Sequence, residues 1–425
     1  MTVKMQKGQP LLLTHIRILR LSLMSCGAWP NEVLEGSSRR RFSLAFIIII
    51  ISCINTCGEL NYLIKNYNIL PFFDLGDLYM TFFLTILTLI RAIIPTVKSY
   101  GDVVCTFFME FHLEHYKQKG EYYEEICNKI NKFSHYFTLL TVANMTLGPI
   151  FFNLAPLYNN YRHGAFTNNR EENYTLQFSV YFLYPWYDQE DHFITTSLIN
   201  LYLSYFCALL VCCLDLLMSL MAFQIIGHIK TLIYDLRHVP RPKRHISMDI
   251  SFRETNTKAN IYADIYDEQE NIVIRAKIID FVNHHRQIVN FAGSMSELFG
   301  PMLAFTYLYQ LISCALLLLE CSQGEPAALA RYGPLTVIIF YQLAQISFTF
   351  EFIGSESDKL KDETYDIPWE CMSVKNQRLV WMLLNRIQIP IRVTALGMVE
   401  VGVQTMVAIL KTTFSYFALL KSINE

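Results

Sequence analysis

At 425 residues, with 52% hydrophobic and 14% aromatic side chains, a mean hydropathy of +0.27 and only 17% charged residues, the chain is too oily for a soluble protein of this size and reads as a membrane protein. A formal net charge of −2 gives no global basic surface to recommend a nucleic-acid partner, and none is expected. The eleven cysteines lack a paired zinc spacing, and those in apolar runs (Cys53, Cys57, Cys207, Cys212, Cys213, Cys314) read as small buried hydrophobes rather than a disulfide framework.

In chain order, the first feature is Leu11 to Met24, an apolar stretch interrupted by His15, Arg17 and Arg20 with no small-residue cleavage site after it. It predicts an amphipathic helix on the membrane face, its two arginines turned to lipid phosphates, within a cytoplasmic N-terminal segment of residues 1–41. Seven apolar segments follow, at 42–64, 71–97, 134–157, 193–223, 297–320, 333–354 and 395–420. Each is long enough, at about 1.5 Å per residue, to cross a hydrocarbon core of about 30 Å. The expected fold is therefore an all-α membrane protein of seven transmembrane helices forming one domain over residues 1–425.

Orientation follows from the Lys and Arg count, because positively charged loops stay in the cytoplasm. Residues 1–41 carry 7, 98–133 carry 5, 224–296 carry 10 and 355–394 carry 6, together 28 of the 35. The opposite side has Lys65, Arg162, Arg170, Arg331 and Lys421. The N-terminus is expected in the cytoplasm and the C-terminus outside. The sequon Asn173-Tyr174-Thr175 falls in an outer loop on this assignment, and Asn173 is a candidate glycosylation site; the second match, Asn144-Met145-Thr146, falls inside the third segment and reads as chance.

Ionisable residues inside membrane segments are functional candidates by default. Arg91, Asp215 and Glu351 fall near the inner boundary, Asp74 and Asp77 at the outer end of the second segment, and Glu400 early in the seventh. They predict interfacial placement or interhelical salt bridges rather than a proton relay. Enzyme signatures are weak. His112-Leu113-Glu114-His115 has zinc-ligand residue types at the wrong spacing, and His284 and His285 are neighbours that point about 100° apart on a helix. With no Gly-rich phosphate loop and no nucleophile elbow, no catalysis, metal or cofactor is expected.

The closing segment carries a stripe of small and polar residues, Ala408, Thr412, Ser415, Leu419 and Ser422, at steps of three and four. Lipid penalises such a stripe. It fits close helix packing and a pore lining equally well.

Several strings resemble insect odorant receptors. These are Cys26-Gly27-Ala28-Trp29-Pro30 near the start, Ile278 to His285 with Ile288, Phe291, Leu298, Phe299 and Pro301 before the fifth segment, and Gln345 to Gly354 with Tyr365, Trp369, Arg378, Arg386 and Pro390. The most specific is Ile409 to Phe417 near the end. One departure is Thr394-Ala395-Leu396-Gly397, where the family often has Thr-Ala-Gly-Lys. The resemblance implies a ligand-specific subunit of a non-selective cation channel in the plasma membrane, a heterotetramer with a shared odorant receptor coreceptor. Residues 224–296 and 355–394 would be cytoplasmic helical extensions at the subunit interface, and 395–421 the pore helix, with the gate at Leu419, the polar ring at Ser422, and Thr412 and Ser415 beside them. It also implies a pocket for small volatile molecules in the outer half of the bundle, which at that depth holds Tyr79, Phe82, Phe83, Leu147, Phe151, Tyr202, Phe206 and Tyr341. Such apolar walls bind by burial, with tyrosine hydroxyls to orient the ligand.

Three other readings fit less well. A gustatory receptor shares the topology, but its terminal Thr-Tyr-hydrophobic signature is missing. A metabotropic seven-helix receptor needs the opposite charge distribution, and a transporter needs inverted repeats and a charged midplane site.

Overall fold

The computed structural model describes residues 10–30, 34, 41–166, 174–251, 258–322 and 326–424; the candidate glycosylation site Asn173 lies outside them. The chain is a bundle of long helices: α1 (Thr14–Ser25), α2 (Arg41–Asn66), α3 (Phe72–Ile93), α4 (Lys98–Thr106), α5 (Glu121–Arg162), α6 (Phe193–Arg237), α7 (Glu268–Ser322), α8 (Pro326–Tyr365), α9 (Val374–Ile387) and α10 (Val403–Asn424). Six of them, α2, α3 and α5 to α8, are long and apolar enough to cross a membrane, and α10, at 22 residues or about 33 Å, adds a seventh of spanning length. The molecule is a multi-pass, all-α membrane protein.

Four helices overrun the bilayer. α5, α6, α7 and α8 have 42, 45, 55 and 40 residues, so α7 is about 80 Å long against a core of about 30 Å. The charged stretches before the third and fifth apolar segments and after the fourth and sixth are therefore, next to the segments, helical continuations of the spanning helices. Gathered at one end with α1, α4 and α9, these continuations build a protein base outside the bilayer.

The base is packed with aromatic rings. α4 runs into a five-residue π-helical turn, Phe107–Phe111, which buries Phe107, Phe108 and Phe111. Phe111 stacks on Phe291 at 4.0 Å between ring centroids, and Phe108 meets Trp29 at 5.3 Å. Such contacts add to the burial of the rings themselves. Trp29 reaches this cluster because Gly27 turns the chain at a φ of +66° and lies against the Ala45 backbone, where a side chain would collide. α1 joins the same core: His15, Ile16, Leu19 and Leu23 are buried where it packs on α5 and α6, and the Arg20 guanidinium sits 5.7 Å from the centre of the Trp29 ring. The apolar face expected to lie on lipid is covered by protein instead, since the overrunning helices offer a larger apolar surface than the bilayer margin. Burial holds the His15 imidazole down to about 4 and His112 well below its ordinary value.

Two hairpins interrupt the helices. β1 (Arg244–Ser251) and β2 (Lys258–Ile265) pair antiparallel between α6 and α7, Arg244 opposite Ile265 and Ser251 opposite Lys258. The second matters more for function. The closing helix, expected from Ala395, starts at Val403, because β3 (Thr394–Ala395) folds back on β4 (Val399–Glu400). The turn places Leu396 and Gly397 at φ of +54° and +69°, and β3 packs on α7 at Gly300, whose absent side chain admits the Thr394 carbonyl.

Candidate functional site

Away from the base, the spanning helices enclose a cavity of about 210 Å³. Its walls come from α2, α3, α5, α6, α7 and α8, and residues 178–181 of the loop before α6 close one end. That loop is fastened rather than loose. The Val180 carbonyl accepts from Asn200 Nδ2 at 3.0 Å, the Gln177 carbonyl from Asn160 Nδ2 at 2.6 Å, and the Leu183 amide donates to the Gly58 carbonyl at 3.0 Å. Leu176, Phe178, Val180 and Phe182 are buried beneath it. Gly58 lets the Tyr184 ring sit against α2, where a side chain would displace it.

The walls are mixed. Leu84, Leu87, Val211, Phe206, Ile338 and Ile339 supply apolar surface. Along α2, Ser52, Asn55 and Glu59 fall at steps of three and four, and along α3 so do Thr81, Thr85 and Thr88, so each helix turns a polar stripe to the cavity. Thr88 Oγ1 meets Cys207 Sγ at 2.8 Å, and Glu59 Oε1 accepts from Asn55 Nδ2 and Thr85 Oγ1, both at 2.8 Å. At one side the Tyr332 hydroxyl donates to Asp77.

The wall also holds a buried ion pair. Arg91, fully enclosed, donates from Nη1 to Asp215 Oδ1 at 2.8 Å and to the Val211 carbonyl at 2.6 Å, and from Nη2 to Thr306 Oγ1 at 2.9 Å. The interhelical salt bridge expected for these charges is thus found, joining α3, α6 and α7. Every partner the guanidinium uses is buried with it, as a charge in this setting requires.

Glu351, the third ionisable position of that set, does something else. On α8, beyond the cavity, its Oε2 accepts from the Val403 amide at 2.9 Å, at the first turn of α10. A carboxylate on the unsatisfied amides of a helix start is favoured by both hydrogen bonding and the helix dipole. Glu400, on β4, pairs with Arg392, two residues before β3.

Of the eight residues expected at the pocket depth, Phe206 lines this cavity; Tyr79, Phe82, Phe83 and Tyr341 lie on the same helices outside its lining, and Leu147, Phe151 and Tyr202 project from the bundle. Their neighbours Gly148, Phe152 and Leu203 face inward instead. One residue along a helix rotates a side chain by about 100°, and depth along a helix does not fix that angle. The polar stripe of α2 was missed for another reason: the first segment is so apolar that three polar residues within it pass unnoticed, although their spacing was visible.

On α10, Ile409 and Thr413 turn inward to α7 and α8, while Ala408, Thr412, Ser415, Leu419 and Ser422 all face outward from the chain. The hydroxyls of Thr412, Ser415 and Ser422 fold back onto the carbonyls of Ala408, Lys411 and Leu419. The histidines at the base have protein partners: His115 Nε2 meets the Phe108 carbonyl at 2.8 Å, His112 Nδ1 accepts from the Glu114 amide, and His228 contacts His284 at 3.0 Å. Among the described residues no cluster of potential ligands for a metal is present.

A family model of the 7tm odorant receptors matches residues 110–414. Odorant receptor 13a of Drosophila melanogaster is 23% identical over 180 residues, covering 39% of this chain and 43% of that protein. Odorant receptor 45a of the same fly is 25% identical over 152 residues, 35% of this chain and 40% of that protein, so the matches span less than half the length of these curated relatives. The fold is similar to that of the insect olfactory receptor OR5 from Machilis hrabei, with a TM-score of 0.72 over 95% of this chain and 97% of that one at 12% identity. The same receptor in complex with eugenol gives a TM-score of 0.70, covering 96% of both chains, also at 12% identity.

Proposed function

Since the chain belongs to the seven-transmembrane odorant receptor family, matched from residue 110 to 414, we propose that it is the ligand-binding subunit of an odorant-gated, non-selective cation channel. The cavity is read as the ligand site. A space of about 210 Å³ between helices, with apolar surface interrupted by polar stripes on α2 and α3, suits a small volatile molecule held by burial and oriented by one or two hydrogen bonds. The likeness in fold to a receptor solved with eugenol supports that ligand class.

The observation that carries the reading is the link from cavity to closing helix. Gln342 lines the cavity on α8, and nine residues on, about 14 Å along the same helix, Glu351 holds the start of α10. A ligand that favours one tilt of α8 then favours one position of α10. In this reading α10 stands at a hydrated central axis, with Thr412, Ser415 and Ser422 facing water and Leu419 closing the pore by dewetting. Its outward stripe, uncovered by the rest of the chain, is the face such an axis needs. The other subunits come from a coreceptor and meet this one through the base, residues 224–296 and 355–394. The protein lies in the plasma membrane with its N-terminus inside, and Asn173 stands outside as a glycan acceptor.

The test is coexpression with a coreceptor and current recording against a panel of volatiles, with a C-terminal epitope stained on intact cells. Ligand-evoked cation current and surface staining are expected. Staining that requires permeabilisation overturns the topology, and a response that needs G-protein signalling overturns the channel. Leu419→Ala is expected to raise current without ligand, and unchanged leak and gating count against the pore assignment.

A further inference from the structure

The first spanning helix places a carboxyl in the cavity wall that no described residue completes. Glu59 is 4% exposed, in a helix otherwise rich in isoleucine. Its Oε1 is held from two sides, by Asn55 Nδ2 on its own helix and Thr85 Oγ1 on α3, which fixes the carboxyl at the wall. Its Oε2 is buried and has no hydrogen-bond partner. Arg91 is the one Lys or Arg among the described residues lining the cavity, and its Nη1 and Nη2 are bound to Asp215, Val211 and Thr306. With the Arg91 charge committed to Asp215, the described cavity lining offers Glu59 no counter-charge of its own.

Resting on the reading of this cavity as the ligand site, we propose that Glu59 makes the receptor selective for small aliphatic amines, bound as an ammonium–carboxylate pair at Oε2. A buried carboxylate without a counter-charge is costly, and a protonated amine supplies the charge and the donor together. Charge-assisted hydrogen bonds are about twice as strong as neutral ones. The alkyl tail then lies against Leu84, Leu87, Phe206 and Ile339, where burial favours it without directing it. A site that leaves a polar atom unpaired when the wrong ligand enters discriminates far better than an apolar pocket does. The opposite use of the same group is a neutral Glu59 that donates to a carbonyl, and such a site prefers aldehydes.

Hexylamine and hexanal separate these, having the same chain length and opposite head-group chemistry. Binding to the purified full-length receptor is read from the shift of its unfolding temperature with ligand concentration. The expected result is at least a tenfold tighter apparent affinity for hexylamine in the wild type, falling to a ratio near one in Glu59→Gln and staying above threefold in Glu59→Asp. Hexanal binding as tightly as hexylamine to the wild type overturns the inference and leaves the cavity reading intact, and an amine preference that survives Glu59→Gln also overturns it. Failure of both probes to bind the wild type overturns the cavity reading and the inference with it. The wild-type comparison needs no variant, so it decides the matter even if Glu59→Gln does not fold.

Discussion

The two ends of the bundle solve opposite problems with the same helices. α6 is buried almost without interruption from Leu209, beside the cavity, to Ile233 in the base, and 83% of the residues in its most apolar stretch are buried. The corresponding stretches of α2 and α5 are only 28% buried. α6 is thus a central post wrapped by protein, whereas α2 and α5 spend most of their apolar surface outward on the bilayer. The aromatic core of the base is closely packed; the splayed end holds a cavity whose wall can change one side chain at a time. A receptor that must fit a particular ligand on a constant fold benefits from such a division.

The junction of the two regions is the place to break the comparison first. Arg91 and Asp215 stand where the cavity floor meets the packed post, and Arg91→Leu strips Asp215, the Val211 carbonyl and Thr306 of their shared donor. Removing one partner of a buried pair leaves an uncompensated charge, so a loss of about 5 kcal/mol is expected, read as failure to reach the surface or a sharply lowered unfolding temperature. The double variant Arg91→Leu with Asp215→Leu should recover most of that loss, since no charge is then stranded. A single variant that unfolds like the wild type would show the pair to be hydrated and the junction open.

Next comes the contrast of one ring from each region. Phe299→Ala removes a fully buried ring that meets Tyr100 edge-on in the base, and about 4 kcal/mol of stability should go with it. Phe206→Ala enlarges a space that already exists, so its stability cost should be less than half as large, with the main effect on which ligands bind. Equal losses in thermal unfolding would erase the distinction between packed base and tunable cavity.

The base should also be the acid-sensitive region. His15 titrates at about 4 because burial disfavours its charge, with His135 adding to that and Glu114 opposing it, and His112 is depressed in the same direction. A histidine whose folded value lies below its unfolded value of about 6.5 costs nothing above that pH and destabilises as pH falls from about 6.5 towards 4. The unfolding temperature should drop by several degrees between pH 7 and pH 5, and His15→Gln should reduce the drop. A flat profile in the wild type would mean that α1 is not seated in the base.

How far the sequence reveals each region follows from what its signals can carry. Hydrophobic length identifies the spanning helices, and the ends of α2 at 41 and 66 fall close to the expected 42 and 64. It does not show that α5 to α8 continue as helices beyond the bilayer, because composition turns polar there while the backbone does not change. Alternation of Ile246, Met248 and Ile250 is a legible strand signal inside a stretch expected to be helical. Arg91 and Asp215 were each conspicuous, but 124 residues separate them and only the folded chain pairs them. Cavity residues were the least legible, since Leu147 and Gly148 differ by one helical step and face opposite ways.

The link between the regions and α10 should respond more weakly. Glu351→Ala removes the acceptor for the Val403 amide, a loss of about 1 kcal/mol by the standard of helix caps. Its signature should be kinetic: the concentration of odorant for half-maximal current shifts severalfold while unfolding temperature moves by a few degrees at most. An unchanged dose-response would show that α8 does not steer α10 through this contact.

The smallest effect is expected at the turn before α10. Leu396 adopts a φ of +54°, which brings its Cβ against the following carbonyl and costs about 1–2 kcal/mol in an L-residue other than glycine. Glycine adopts this φ without that cost, so Leu396→Gly relieves the strain. The gain is partly offset because glycine also frees the unfolded chain, by about 0.5–1 kcal/mol. Next to it, Gly300 lets the Thr394 carbonyl sit against α7, and Ser296 Oγ accepts from the Thr394 amide at 2.9 Å, so the turn is anchored on one side whichever residue occupies 396. A net stabilisation of about 0.5 kcal/mol should therefore appear as a slightly raised unfolding temperature with little change in gating. If Leu396→Gly instead lowers it, the exposed leucine is being used, and the face of the turn away from α7 is a contact rather than a free surface.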